Sequence, residues 1–239
     1  MKSVQFSYLI SFFFFCSLIA QSQSSTKNSF DYFNNNWSIG VGINVVGDAG
    51  DGFKNIFNSE LNGKAYWNYS NPLVINAEYY LNNKFSFESV ISLNAYKAHK
   101  IIDGSSVSQG HEANYISFDL LTKYSFRSII NSSRIDPFLS AGLGYTHIGD
   151  YQTQLHGTNI SNNGRITGNL GFGLRFWFSN HWGVHTNAIA KFGTSKTTTN
   201  HQQYNIGFTY LFSQKDKQKP ATNHSQEYEE LIKGNYKKD

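Results

Sequence analysis

One cysteine in 239 residues, Cys16, is too few for a disulfide framework or a cysteine-based zinc site. Charged residues reach only 15%, well under the ~25% of an ordinary soluble domain. The net charge of +4 comes without a Lys/Arg-rich stripe, which argues against nucleic acid as a partner. Proline occurs three times. Pro72 and Pro137 stand at the starts of strand-like runs and Pro220 lies near the end, so none removes a donor in mid-ladder. Beyond the N-terminal region no window offers ~18 consecutive apolar residues, so no transmembrane helix is expected. Aromatic residues, by contrast, make up 16%, with 20 Phe, 15 Tyr and 4 Trp, and Gly is frequent at 20. With so little charge, most of the chain is unsuited to disorder. Its polarity comes from Asn, Ser, Thr, Gln and Gly instead. The length suits one large all-β domain or two small ones.

The N-terminus opens with Lys2, then an apolar stretch over residues 8–20 (YLISFFFFCSLIA). That stretch is too short to span a bilayer as a helix, which needs ~20 residues. A basic start, a short apolar region and small residues after it predict a secretory signal peptide over residues 1–22. Cleavage falls after Ser22, with cleavage after Ala20 as the rival, so the mature chain has no Cys. Acylation of Cys16 would need a small residue before it, and Phe15 is not small.

Residues 23–35 look like a flexible lead-in. From there the hydrophobic period is two. Trp37, Ile39, Val41, Ile43 and Val45 alternate with small or polar residues, which predicts a strand with one apolar face. Seven similar runs follow. They carry Leu73–Tyr79, Phe85–Ala95, Ile116–Phe126, Leu139–Tyr145, Leu170–Phe178, Trp182–Phe192 and Tyr204–Phe212 at alternate positions. Each is about the length a tilted strand needs to cross a bilayer. Long loops over 47–71, 98–112 and 149–164 alternate with tight turns at Asn82-Asn83 and Ser179-Asn180, while 127–136 and 193–201 are intermediate. The pattern predicts an all-β, eight-stranded antiparallel up-and-down barrel over residues 36–212. Residues 213–239 are dense in charge and lack an apolar period, and they read as a disordered tail.

Alternation alone does not say which face points outward. A soluble barrel is apolar inside, and a membrane barrel is the reverse. Soluble surfaces run ~25–35% charged. The polar face here is mostly Gly, Ser, Asn and Thr, including Gly40, Gly42, Gly142, Gly144, Gly171, Gly173, Gly183 and Gly207. Such a face suits the narrow interior of an eight-stranded barrel. The apolar face also gathers aromatics at strand ends. Trp37, Phe85, Phe126, Phe178, Trp182 and Phe212 lie at one end, and Tyr145, Phe192 and Tyr204 at the other. They read as two interfacial girdles. A transmembrane barrel is therefore expected.

Three stretches carry a family resemblance: 137–145 (PFLSAGLGY), 171–182 (GFGLRFWFSNHW) and 204–212 (YNIGFTYLF). With them the chain resembles the small OmpA-type outer-membrane β-barrel family over about residues 36–212. The resemblance implies a Gram-negative cell outer membrane, reached by export and signal cleavage, with porin-like small barrels among the kin. It also implies a periplasmic N-terminus, a periplasmic tail and long loops outside the cell. Contact with outer-membrane lipid or lipopolysaccharide is implied, as is reading of the last strand by the outer-membrane insertion machinery. The tail departs from the family pattern, in which Phe is the last residue. No peptidoglycan-binding domain follows the barrel, so anchoring to the cell wall is not expected.

On the inferred inward face Glu78, Glu88 and Asp119 balance Lys123, Arg175 and Lys191, with His185 nearby. Buried charges are costly unless paired. Two readings stay open: a polar core that holds strand register, or a gate on a narrow ion path. No catalytic arrangement emerges. His185-Thr186-Asn187 puts Thr186 on the opposite face from His185, and His147 is followed by Ile148 and Gly149. His181 and His185 lie ~13 Å apart along a strand, too far to share a metal. Glu112 and His111 fall in a loop. The Gly-Asp steps at Gly47-Asp48 and Gly50-Asp51-Gly52 lack EF-hand spacing and read as turns. No enzyme activity, cofactor or metal is expected. The expected role is structural or surface interaction through the loops. The alternatives are a narrow pore for small solutes, or a subunit of a larger outer-membrane complex that docks through the tail or a lipid-facing patch.

Overall fold

The structure, a computed structural model, describes residues 33–50, 66–102, 105–154, 156–161, 164–194 and 200–212. The signal peptide read over 1–22, most of the lead-in, residues 51–65 of the first loop and the tail over 213–239 lie outside the described residues.

Eight long strands form the wall: β1 (Trp37–Gly50), β2 (Ser70–Tyr80), β3 (Phe85–Tyr96), β4 (Ala113–Ser125), β5 (Ile135–Ile148), β6 (Arg165–Trp177), β7 (Trp182–Gly193) and β8 (Asn200–Phe212). Each pairs antiparallel with its chain neighbours, and β8 returns to β1, with Trp37 opposite Phe212 and Gly42 opposite Gly207. The sheet is closed, so no edge remains unpaired. Alternating β-branched and aromatic residues favour extended backbone, and antiparallel neighbours joined in sequence need only short turns.

The wall is inverted relative to a soluble barrel. Outward Phe172, Leu143 and Ile39 are 65%, 64% and 50% exposed, while inward Asp119 and Lys191 are 0% exposed. Charge is inside and hydrocarbon is outside.

Turns at one end are tight because side chains cap them. Asn82 Oδ1 accepts the N–H groups of Lys84 and Phe85 at 2.8 and 2.9 Å. Ser179 Oγ accepts those of His181 and Trp182 at 3.3 and 2.9 Å. Pro72 sits where the β2–β3 register slips between Ser70 and Leu73, so its missing N–H falls at an irregularity.

Four sequence expectations are corrected. Residues 127–136 are not simply a loop: a short helix, α1 (Arg127–Ile130), precedes β5, which already begins at Ile135. The lead-in is not loose at its end. The Asn35 N–H donates to the Tyr80 carbonyl at 2.8 Å, the Tyr80 N–H donates to the Asn36 carbonyl at 3.0 Å, and Phe33 is buried. Gly47-Asp48 is not a turn but lies within β1, opposite Gln202 and His201, and the long loops after β3 and β5 carry pairing of their own. Ile101–Ile102 pairs with Ser105–Ser106, and Tyr151–Gln152 with Asn159–Ile160. A bridge from Val107 to Thr153 joins the two hairpins over the barrel mouth.

Candidate functional site in the barrel lumen

At the turn end Phe33 enters the lumen and contacts Tyr80 and Trp177, with ring centroids 5.6 and 5.5 Å away. Leu211 completes this apolar stopper. The Arg127 guanidinium lies 3.5 Å from the Phe33 ring centroid, a cation–π contact. Small residues make the room. A Cβ on Gly183 would come within 2.9 Å of the Trp177 ring.

The next layer is ionic. Arg175 donates to Glu78 and to the Tyr80 hydroxyl, and Arg127 donates to Asp136. Arg175 also lies 3.9 Å from Asp136. Lys123 reaches Glu78 at 3.2 Å and Glu88 at 2.8 Å. Asn76 Nδ2 donates to Glu88 at 2.7 Å and Ser86 Oγ to Glu78 at 2.6 Å. Three carboxylates thus face three cations out of water. Unpaired, any one of them would carry a large desolvation penalty.

An apolar belt of Val74, Val90, Leu121 and Ile189 follows. Beyond it Lys191 Nζ donates to Asp119 at 2.7 Å and to Ser117 at 2.8 Å. Asn169 Nδ2 gives Asp119 a second donor at 2.8 Å. Gly144 faces this pair. A Cβ there would fall 2.6 Å from the Asn169 amide and against Asp119 itself.

Amides fill the next level. Gln203 Nε2 donates to Ser92 and Asn205, both at 2.8 Å, and Asn94 Nδ2 donates to Asn44 at 2.7 Å. The loop end is closed by Val46, Tyr96, Ile102, Val107, Ala113, Tyr115, Ile148 and Tyr151. Ile102 and Val107 come from the loop hairpin, so the loops supply part of the lid.

The sequence-predicted lumen residues divide into two groups. Glu78, Glu88, Lys123 and Arg175 share one network, and Asp119 and Lys191 form another. His185 joins neither by hydrogen bond; its Nδ1 pairs with Thr209 Oγ1 at 2.8 Å. Its ring lies over Gly207, whose Cβ would be 3.0 Å from Cε1. Asp136, Arg127 and Phe33 were missed. Asp136 keeps the inward parity of Phe138 and Ser140, and that parity was the available signal. Arg127 and Phe33 lie outside any strand period.

The outward aromatics cluster at the turn end. Trp37 meets Tyr79 at 4.9 Å, Phe85 meets Tyr124 at 5.2 Å, and Tyr124 meets Phe126 at 5.1 Å. Tyr210 joins Trp182 and Phe212, both at 4.9 Å. Phe178 is exposed beside them, while Phe126 is half-buried. At the loop end Tyr145 and Tyr204 are exposed, Phe192 is half-buried, and Trp67 packs on Tyr204 at 5.4 Å.

At the base of the second long loop Lys97 donates to Glu112 at 2.7 Å. That hydrogen bond holds the Glu112 carboxyl below its ordinary range. Partial burial pushes the Lys100 ammonium down, and its Nζ donates to the Trp67 carbonyl at 2.6 Å. Among the described residues no three His, Cys, Asp or Glu side chains gather to hold a metal.

No protein-family model matches the sequence, and no curated protein matches it. Solved structures do match. The outer membrane protein OprG from Pseudomonas aeruginosa superposes with a TM-score of 0.51 at 12% identity, covering 76% of this chain and 98% of that one. The fold is that of a small outer-membrane β-barrel. Ail, the attachment invasion locus protein of Yersinia pestis, aligns with a TM-score of 0.49 at 12% identity, over 75% of this chain and 99% of that one. Neisserial surface protein A aligns with a TM-score of 0.47 at 14% identity, over 74% of this chain and 96% of that one. At these identities the likeness is one of fold. An eight-stranded outer-membrane barrel carries its hydrocarbon face outward and a side-chain-filled lumen inward, as here.

Proposed function

We propose that this chain is an integral outer-membrane protein of a Gram-negative envelope whose barrel is a sealed support for a surface-interacting loop end. It works without catalysis. The observation that carries the reading is the filled lumen. Two ion-paired layers lie between an apolar stopper at one mouth and an apolar lid at the other. A hydrated path would have to break buried charge pairs and displace both apolar ends. The working surface is then the rim, where the second and third long loops zip together through Val107 and Thr153. The N-terminus and the charged tail face the periplasm, where the tail docks to another envelope component.

Purified full-length protein in planar bilayers is expected to show no single-channel conductance. Regular current steps whose ion selectivity changes with Glu88→Gln or Arg175→Ala would establish a narrow pore instead. Orientation is tested on intact cells. Cleavage after Ser22 removes Cys16, so a cysteine introduced at His156 is the single thiol of the mature chain. A membrane-impermeant maleimide should label it, and should label Lys84→Cys only after the outer membrane is permeabilised. The reverse pattern would invert the topology. Deleting 213–239 should leave the barrel folded and remove its co-purifying envelope partner.

A further inference from the structure

The middle of the outward face of β7 is built from small residues. Thr186, Ala188 and Ala190 succeed one another there. In register beside Ala188 and Ala190 stand Phe172 and Leu170 on β6, and Tyr204 and Gln202 on β8. Large flanks and a methyl floor leave a groove along β7 of about 240 Å³, with Phe192 at its loop end. The lining is hydrocarbon until the loop end. There the Tyr204 hydroxyl donates to Gln202 Oε1 at 3.4 Å.

We propose that this groove holds one acyl chain of an outer-leaflet lipid. The chain lies along β7 over Ala188 and Ala190, and its ester or amide end meets the Gln202–Tyr204 pair. The proposal rests on the membrane reading above, which puts this part of β7 in the outer leaflet. Hydrophobic transfer does not select the site, since the surrounding lipid is equally apolar. Shape does. An unfilled groove forfeits dispersion contacts on all its walls, and a flexible chain one carbon wide can follow it. A second barrel presents a convex wall, which cannot enter a strip one strand wide. The polarity gradient sets direction: an amphiphile's polar end belongs where the groove's polar atoms are.

The full chain is extracted from outer membranes in mild detergent and weighed by native mass spectrometry. Each variant is first checked for a heat-dependent gel shift, the sign of a folded barrel. Wild type should carry one lipid per barrel. Ala188→Phe and Ala190→Phe fill the groove with apolar side chains suited to the lipid face, and bound lipid should fall at least about tenfold. Ile91→Phe on β3, four strands away around the wall, should retain it. A wild type without lipid, or equal retention in all variants, would overturn the proposal. A lipid-free dimer that dissociates in Ala190→Phe would do the same, and would name a second copy as occupant. Failure of the membrane reading shows earlier and separately, as a chain found in the soluble fraction.

Discussion

Asp119→Asn is expected to destabilise the barrel by about 3–5 kcal/mol, the range for breaking a buried ion pair from one side. The change is nearly isosteric, so packing against Gly144 and Asn169 survives. Lys191 then keeps its charge at zero exposure with only neutral oxygens to meet it, from Ser117, Tyr115 and the new amide. The double variant Asp119→Asn/Lys191→Met removes both charges and should recover most of the loss, because no buried charge is left uncompensated. Denaturant unfolding in lipid vesicles, followed by tryptophan fluorescence, measures both. A single variant as stable as wild type would mean that water reaches Lys191 and that the lumen is not sealed at this level. A double variant as unstable as the single would assign the loss to the hydrogen bonds of Asp119 instead of its charge.

Gly207→Val is expected to prevent closure of the barrel. Gly207 faces Gly42 across the β8–β1 seam. A Cβ on Gly207 would lie 2.5 Å from the Val41 carbonyl oxygen and 2.9 Å from the Gly42 Cα. Both neighbours are backbone in the ladder that closes the sheet, so neither can move aside without losing hydrogen bonds. Overpacking commonly costs about 1–3 kcal/mol where side chains can yield. Here backbone would have to, and His185 occupies the remaining space at 3.0 Å. The expected result is no heat-modifiable band and an open, aggregating sheet with two free edges. Val at the outward neighbour Ile206, with the same β-branching, should leave folding intact. If Gly207→Val folds as well as Ile206→Val, the seam is looser than these distances require.

Both outcomes depend on how strands meet, and that separates what was legible in the residues from what was not. The wall was legible because its two faces see different surroundings. Ile39, Val41 and Ile43 meet lipid while Gly40, Gly42 and Asn44 meet a crowded lumen, and a period of two records the difference directly. The inward set of Glu78, Glu88, Asp119, Lys123, Arg175 and Lys191 was readable from parity alone. Their partners were not. Arg175 bonds Glu78 from 97 residues away, and nothing in local sequence names that pair over Arg175 with Glu88. The end of the lead-in was also hidden. Phe33 precedes the first alternating run and looks like any apolar residue in a polar stretch. Its place under Arg127 exists only because α1 begins at the turn end with the Arg127 side chain buried.

The loops show the same limit. Ile102 and Val107 sit among Ser, Gly and Lys with no period to mark them, yet both have zero exposure. They are buried because one hairpin folds over the mouth and bridges another, Val107 meeting Thr153. Strand number, inside-out polarity and the pairing requirement of the lumen charges follow from the sequence by itself, because each reflects a residue's own surroundings, repeated at alternate positions. Which acid meets which base, whether the mouths are open, and where the wall is grooved were decided only in three dimensions. Those depend on ring closure, which sets strands distant in sequence side by side and leaves the small residues of β7 between the large ones of β6 and β8.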